Sequence, residues 1–112
     1  MSSLPDDALV IRGGLNTVEL LKTGSGVTMD ADGKLYGVSV NSASGKTIAE
    51  LAVGIPHKRI GVTSVGAVRR AGGEVTPYPT IYNPNHCQSE SIFVLTAHDL
   101  LNPPVPNPSR TI

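Results

Sequence analysis

Glycine and proline interrupt this chain wherever an element could begin to lengthen. Twelve glycines and nine prolines stand among 112 residues, many in pairs or beside asparagine: Gly13-Gly14, Gly72-Gly73, the corner Asn83-Pro84-Asn85 and a final "NPPVPNPSRTI". Each such position ends a helix, favours a turn or removes a ladder hydrogen bond. Only short helices and short strands fit between them. With one Phe, three Tyr and no Trp, the core must be built from Val, Ile, Leu and Ala. The length suits one domain that buries about two-thirds of its unfolded surface.

Within those limits the local patterns are readable. Ala8 to Arg12 is a β-branched run closed by two glycines, a largely buried strand with Arg12 at its end. Asn16 or Thr17 can cap a brief helix, "TVELLKTG", that stops at Gly24. Val27–Met29 and Leu35–Val40 flank Asp30-Ala-Asp-Gly33, a hairpin turn in which Gly33 takes the positive φ. A second helix runs from Thr47 to Val53, with Thr47 and Glu50 at capping-box spacing. "HKRIGVT" is a strand and "SVGAVRRAGG" a third helix, its Arg69 and Arg70 at the end that favours cations. Gln88 to Leu95 reads as one strand, and Thr96 caps a last turn, "AHDLL". The fold class expected is α+β: a single small domain, residues 1–102, with a mixed or mostly antiparallel sheet and two to three short helices. A proline-rich tail, 103–112, is expected to be extended or polyproline-like, lying along the surface or dangling.

Composition removes several functions. Nine basic and nine acidic residues give a formal net charge of zero, so no module that grips DNA or RNA by overall charge is expected. Nowhere do about eighteen apolar residues run together, which argues against a membrane-spanning helix. The opening "MSSLPDD" lacks the basic and apolar regions of an export signal. One cysteine offers no disulfide framework and points to a reducing cytoplasm, with export by a signal-less route, or as a domain cut from a longer effector, left open.

Three motif readings fail on spacing. "SASGKT" places Gly45-Lys46-Thr47 before a helix, but a phosphate loop needs glycine where Val40 stands. Asp30 and Asp32 open like a calcium loop that would need a glutamate where Asn41 stands. His57, His86, Cys87 and His98 show no metal-ligand spacing, so no metal is expected, and a lone Cys87 reads as a small buried hydrophobe. What survives is Arg12, Ser39 and Ser42, Thr63 and Ser64, and His86 on the Asn-Pro-Asn corner. A guanidinium ending an apolar strand wants a partner, and two following glycines would let a phosphate approach the backbone. Imidazole titrates near neutrality, and corner loops commonly carry function.

The strand ending "IRGG" followed by a strand "YGVSVNS" resembles, in that order, the arginine and serine positions of ADP-ribosyltransferase-like toxins. "GAVRRAGGEVTP" is similar to a segment of small secreted bacterial effectors of that fold, and the "NPNHC" corner resembles that of a small bacterial domain family, which implies no activity. The toxin resemblance implies a nucleotide cleft for NAD, with Arg12 on the pyrophosphate, Ser39 shaping the nicotinamide pocket, and Glu74 and Glu90 as candidates for the ribose-positioning glutamate. Two other readings stand beside it. A metal-independent ribonuclease toxin would use His86 as acid or base, Lys58 or Arg59 as charge stabiliser, and Thr63 or Ser64 as an extra donor. A non-enzymatic binding or assembly module would use the Gly/Pro loops and tail to dock a partner. Arg12, Ser39 and His86 around one cleft favour an enzyme; on separate faces they leave both enzyme readings without basis.

Overall fold

In the computed structural model, residues 3–110 are described. In chain order they form β1 (Leu9–Gly13), α1 (Val18–Lys22), β2 (Thr28–Met29), β3 (Lys34–Tyr36), β4 (Val38–Ser42), α2 (Ile48–Ala52), β5 (Arg59–Ser64), α3 (Val65–Arg70), β6 (Glu74–Pro77), β7 (His86–Glu90), β8 (Ile92–Phe93), α4 (Val94–Leu101) and β9 (Val105–Pro106). A six-stranded sheet has the order β6-β7-β4-β1-β5-β9, and a small sheet the order β2-β3-β8. Every pairing described is antiparallel. The fold is α+β, as the pattern of short elements implies. Among the described residues, no helix is long and apolar enough to cross a membrane.

The helix starts follow the caps. Thr17 accepts from the Leu20 amide and Ser64 from the Ala67 amide, while Thr47 and Glu50 form a reciprocal capping box. The β2–β3 turn closes on Gly33 at φ +88°, with the Asp30 carboxylate accepting from the Asp32 and Lys34 amides. Those bonds hold the Asp30 carboxyl below its usual range.

Successive side chains of β1 serve opposite faces of the large sheet. Val10 packs in a cluster with Val40, Leu21 of α1, Val68 of α3 and Leu101 of α4. Ile11 packs instead with Leu51, Ala52 and Ile60, beneath α2. Both faces of the central strand are therefore dry. Burying a residue such as Ile11 completely is worth about 1.5–3 kcal/mol.

Three features depart from expectation. The stretch read as one strand from Gln88 to Leu95 is divided at Ser91, whose φ of +60° turns the chain from the large sheet into the small one. The last turn is a fourth helix, α4, which begins at Val94 and has no side-chain cap; Thr96 lies inside it. The proline-rich tail, expected to be extended, supplies the outermost strand, β9, against β5, and then turns at residues 108–110, with the Arg110 amide donating to the Asn107 carbonyl; residues 111–112 lie outside the described residues. Asn107, just beyond β9, is wholly buried.

Candidate functional site

The site opens where β1 and β4 stop pairing. Their ladder comprises only Val10–Ser42 and Ile11–Asn41, although β1 continues against β5 to Gly13–Ile60 and β4 continues against β7 to Val38–Ser89. Arg12 spans the gap with its side chain, Nη1 donating to the Ser39 carbonyl at 2.8 Å. A cleft of about 580 Å³ lies there, and Arg12, Ser39 and His86 all line it. His57, Asn41 and Gly13 line it too, with Leu15, Leu20, Ile55 and Pro56 among its apolar walls.

Arg12 is held in place but, among the described residues, left uncompensated. Its guanidinium passes close to the backbone at Gly24, where a Cβ would stand 3.1 Å from Nη2. Buried Asn16, at φ +52°, donates from Nδ2 to the Arg12 and Gly14 carbonyls at 3.1 and 3.3 Å and so staples the loop behind the arginine. Yet no ion pair among the described residues involves Arg12, and its Nε is buried without a hydrogen-bond partner. Burial lowers the pKa of the guanidinium, and no acid acts in the opposite direction. A cation kept partly out of water without a counter-ion is costly, and an anion entering the cleft would offset that cost.

Two imidazoles accompany it. His86 sits on β7 opposite Asn41, and its Nδ1 lies 2.8 Å from the Tyr78 carbonyl. A carbonyl only accepts, so Nδ1 carries the proton and Nε2 is the basic nitrogen of the neutral ring. Tyr78 packs edge-on at 6.4 Å between ring centroids, and its amide donates to the His86 carbonyl. His57 lies over the glycines that follow Arg12: a Cβ on Gly13 would meet His57 Nδ1 at 2.5 Å and Ile55 Cγ2 at 2.7 Å. That corrects one expectation. The space at Gly13 admits a histidine and an isoleucine rather than a phosphate, while Gly14 makes the turn at φ +95°.

The backbone that carries His57 is held by the tail. Asn107 donates from Nδ2 to the Ile55 carbonyl at 3.1 Å and to the His57 carbonyl at 2.8 Å, and its amide donates to the Lys58 carbonyl. Its Oδ1 accepts from the Ser109 amide and hydroxyl. Across the cleft, Asn41 donates to the Leu51 carbonyl and accepts from Asn83 Nδ2, tying α2 to the Asn-Pro-Asn corner.

The other candidates lie elsewhere. Ser64 is spent as the α3 cap, Ser42 donates to the Leu9 carbonyl, and Thr63 lines a small apolar cavity inside the core. Lys58 and Arg59 are exposed and do not line the cleft. Glu74 pairs with Arg69, and Glu90 accepts from the Gly37 amide, so neither acid lines it. His98 is beside Asp99 on α4. Cys87 is buried, donates weakly to the Ser42 and Asn85 carbonyls, and has its thiol pKa raised by burial. Among the described residues, no group of at least three His, Cys, Asp or Glu side chains could hold a metal ion. Sequence reasoning missed His57, whose only local signal is the glycine pair it covers, and Asn107, which reads as a turn between prolines.

Fold and site together define an antiparallel α+β domain with a cationic, imidazole-bearing cleft at a split in its main sheet. In comparisons with known proteins the chain matches no protein-family model, no curated protein and no solved structure.

Proposed function

We propose that this chain is a small metal-independent ribonuclease, of the kind bacteria deploy as toxins and acting in a reducing cytoplasm. The observation that carries the reading is Arg12, a partly buried cation without a counter-ion among the described residues, sharing one cleft with two histidines. The apolar wall takes the base and Arg12 takes the phosphate. His86 Nε2 removes the proton from the ribose 2′-hydroxyl, whose oxygen attacks phosphorus. Protonated His57 gives its proton to the departing 5′-oxygen, leaving a 2′,3′-cyclic phosphate and a 5′-hydroxyl end. Arg12 stabilises the extra negative charge of the pentacovalent phosphorus. It replaces Lys58 and Arg59 in that role because neither lines the cleft. The cleft thereby supplies locally the attraction for RNA that a neutral chain lacks overall.

The test is cleavage of a short RNA with one scissile bond, with thermal melts confirming that each variant folds. His86→Ala and His57→Ala are each expected to lose about 100- to 10,000-fold in rate, and Arg12→Lys to lose most of its rate despite keeping the charge. Cleavage indifferent to all three substitutions would overturn the reading.

The Arg12–Ser39 hydrogen bond favours a second reading, an ADP-ribosyltransferase-like cleft for NAD, since it joins the two residues that resemblance assigns to the dinucleotide. Its weakness is the missing acid, as Glu74 and Glu90 are engaged elsewhere. Transfer or hydrolysis of labelled NAD, with RNA left intact, would select it. Turnover of neither substrate would select the non-enzymatic binding module.

A further inference from the structure

The longest loop of the large sheet, between β6 and β7, displays apolar surface beside the cleft. Ile81 and Tyr82 are 90% and 91% exposed and Tyr78 is 59% exposed, which places two of the chain's three tyrosines on one loop. The loop is nonetheless fastened. The Thr80 and Asn83 backbones bond reciprocally, Asn83 also accepts the Asn85 amide, and Asn83 Nδ2 reaches Asn41 at 2.8 Å. A second groove of about 660 Å³ runs along it, bordered by Tyr82, Asn85 and Lys46, and Asn41 and Ile55 line both this groove and the cleft. The two hollows therefore adjoin at these residues. On the far rim Lys46 is only loosely engaged, 3.9 Å from Glu50.

The geometry points to this groove as a subsite for one unpaired nucleotide flanking the phosphate held at Arg12, its base stacked on Tyr82 and its outer phosphate at Lys46. This rests on the ribonuclease reading and specifies its substrate as single-stranded RNA longer than one nucleotide. A strand gripped at Arg12 must leave the cleft, and the neighbouring groove shares Asn41 and Ile55 with it. An exposed tyrosine ring carried on a fastened loop offers a face on which any base can stack. Since Asn41 and Asn83 bond to each other, they are spent as structure, and Tyr82 confers binding with little preference among bases.

Oligonucleotides of 2′-O-methyl RNA lack the attacking hydroxyl and separate binding from cleavage. Affinities of the mono-, di-, tri- and tetranucleotide are measured for the wild type, Tyr82→Ala, Tyr82→Phe and Arg12→Lys. The expected result is a gain on lengthening that falls about 5- to 100-fold in Tyr82→Ala, is kept in Tyr82→Phe, and is superimposed on a loss at every length in Arg12→Lys. Equal affinities of wild type and Tyr82→Ala at every length would overturn the subsite, as would a Tyr82→Phe loss equal to that of alanine. Binding of no oligonucleotide by the wild type would do the same. Cleavage of unmodified RNA is followed separately. RNA cleaved without any Tyr82 effect on binding sinks the subsite and keeps the ribonuclease, whereas Tyr82-dependent binding without cleavage keeps the subsite and sinks the ribonuclease.

Discussion

Replacing Asn107 by alanine tests whether the tail is part of the site. Asn107 is wholly buried, and its Nδ2 donates to the Ile55 and His57 carbonyls while Oδ1 accepts from Ser109. The alanine keeps the backbone bond to Lys58 and loses every side-chain bond. Each lost buried bond costs about 1 kcal/mol net, and a carbonyl left dry costs more. The two Nδ2 bonds therefore set a loss of about 2–3 kcal/mol, with the exposed Ser109 adding little because water replaces its partner. For a chain of this size that lowers the melting temperature by about 8–12 °C. Asn107→Asp sharpens the test, since it keeps the shape and the acceptor but turns an oxygen toward two carbonyls, and it should be less stable than alanine. Urea unfolding gives the free energies, and amide hydrogen exchange at residues 55–58 shows whether the loosening starts at the His57 loop. An alanine variant within about 0.5 kcal/mol of wild type, or an aspartate variant more stable than alanine, refutes the reasoning.

Gly13→Ala should lower RNA cleavage far more than stability, because the new Cβ displaces the exposed His57 ring and the Ile55 methyl; rate and melting temperature measured together check it. Thr47→Ala removes the capping-box acceptor of α2 and should cost about 1 kcal/mol in urea unfolding. The buried Cys87 thiol has a raised pKa, so the unfolded state loses this proton at lower pH than the folded one. Its contribution to stability is full below the ordinary thiol pKa of about 8.5 and is lost as pH rises through the higher folded value. Cys87→Ala should flatten that alkaline decline in denaturant midpoints.

What could be read from the sequence was local. Thr47 and Glu50 announce a capping box by their spacing, and Gly33 closes a turn whose other members adjoin it, so three helices and the first hairpin follow from neighbours alone. Arg12 at the end of an apolar strand and His86 on a corner also stood out, because each residue conflicts with its immediate surroundings. The remainder depended on distant chain. Ser91 looks like any strand serine, and only the two different sheets on either side explain its positive φ. α4 has no side-chain cap at its start. His57 and Asn107 become meaningful only after β9 pairs with β5 and brings the tail beside residues 55–58.

β1, which precedes the other described strands in the chain, lies in the middle of the large sheet. Val10 needs Ser42 on one side and Thr63 on the other, so β1 emerges during synthesis long before either partner and waits unpaired. Closing such distant pairings is slow compared with forming local turns. The cleft closes later still, since Arg12, His57 and His86 must be brought together from three parts of the chain, with Asn107 arriving last to fasten the loop. A polypeptide arranged this way completes its cleft only once residues 12, 57, 86 and 107 have all been made and brought together.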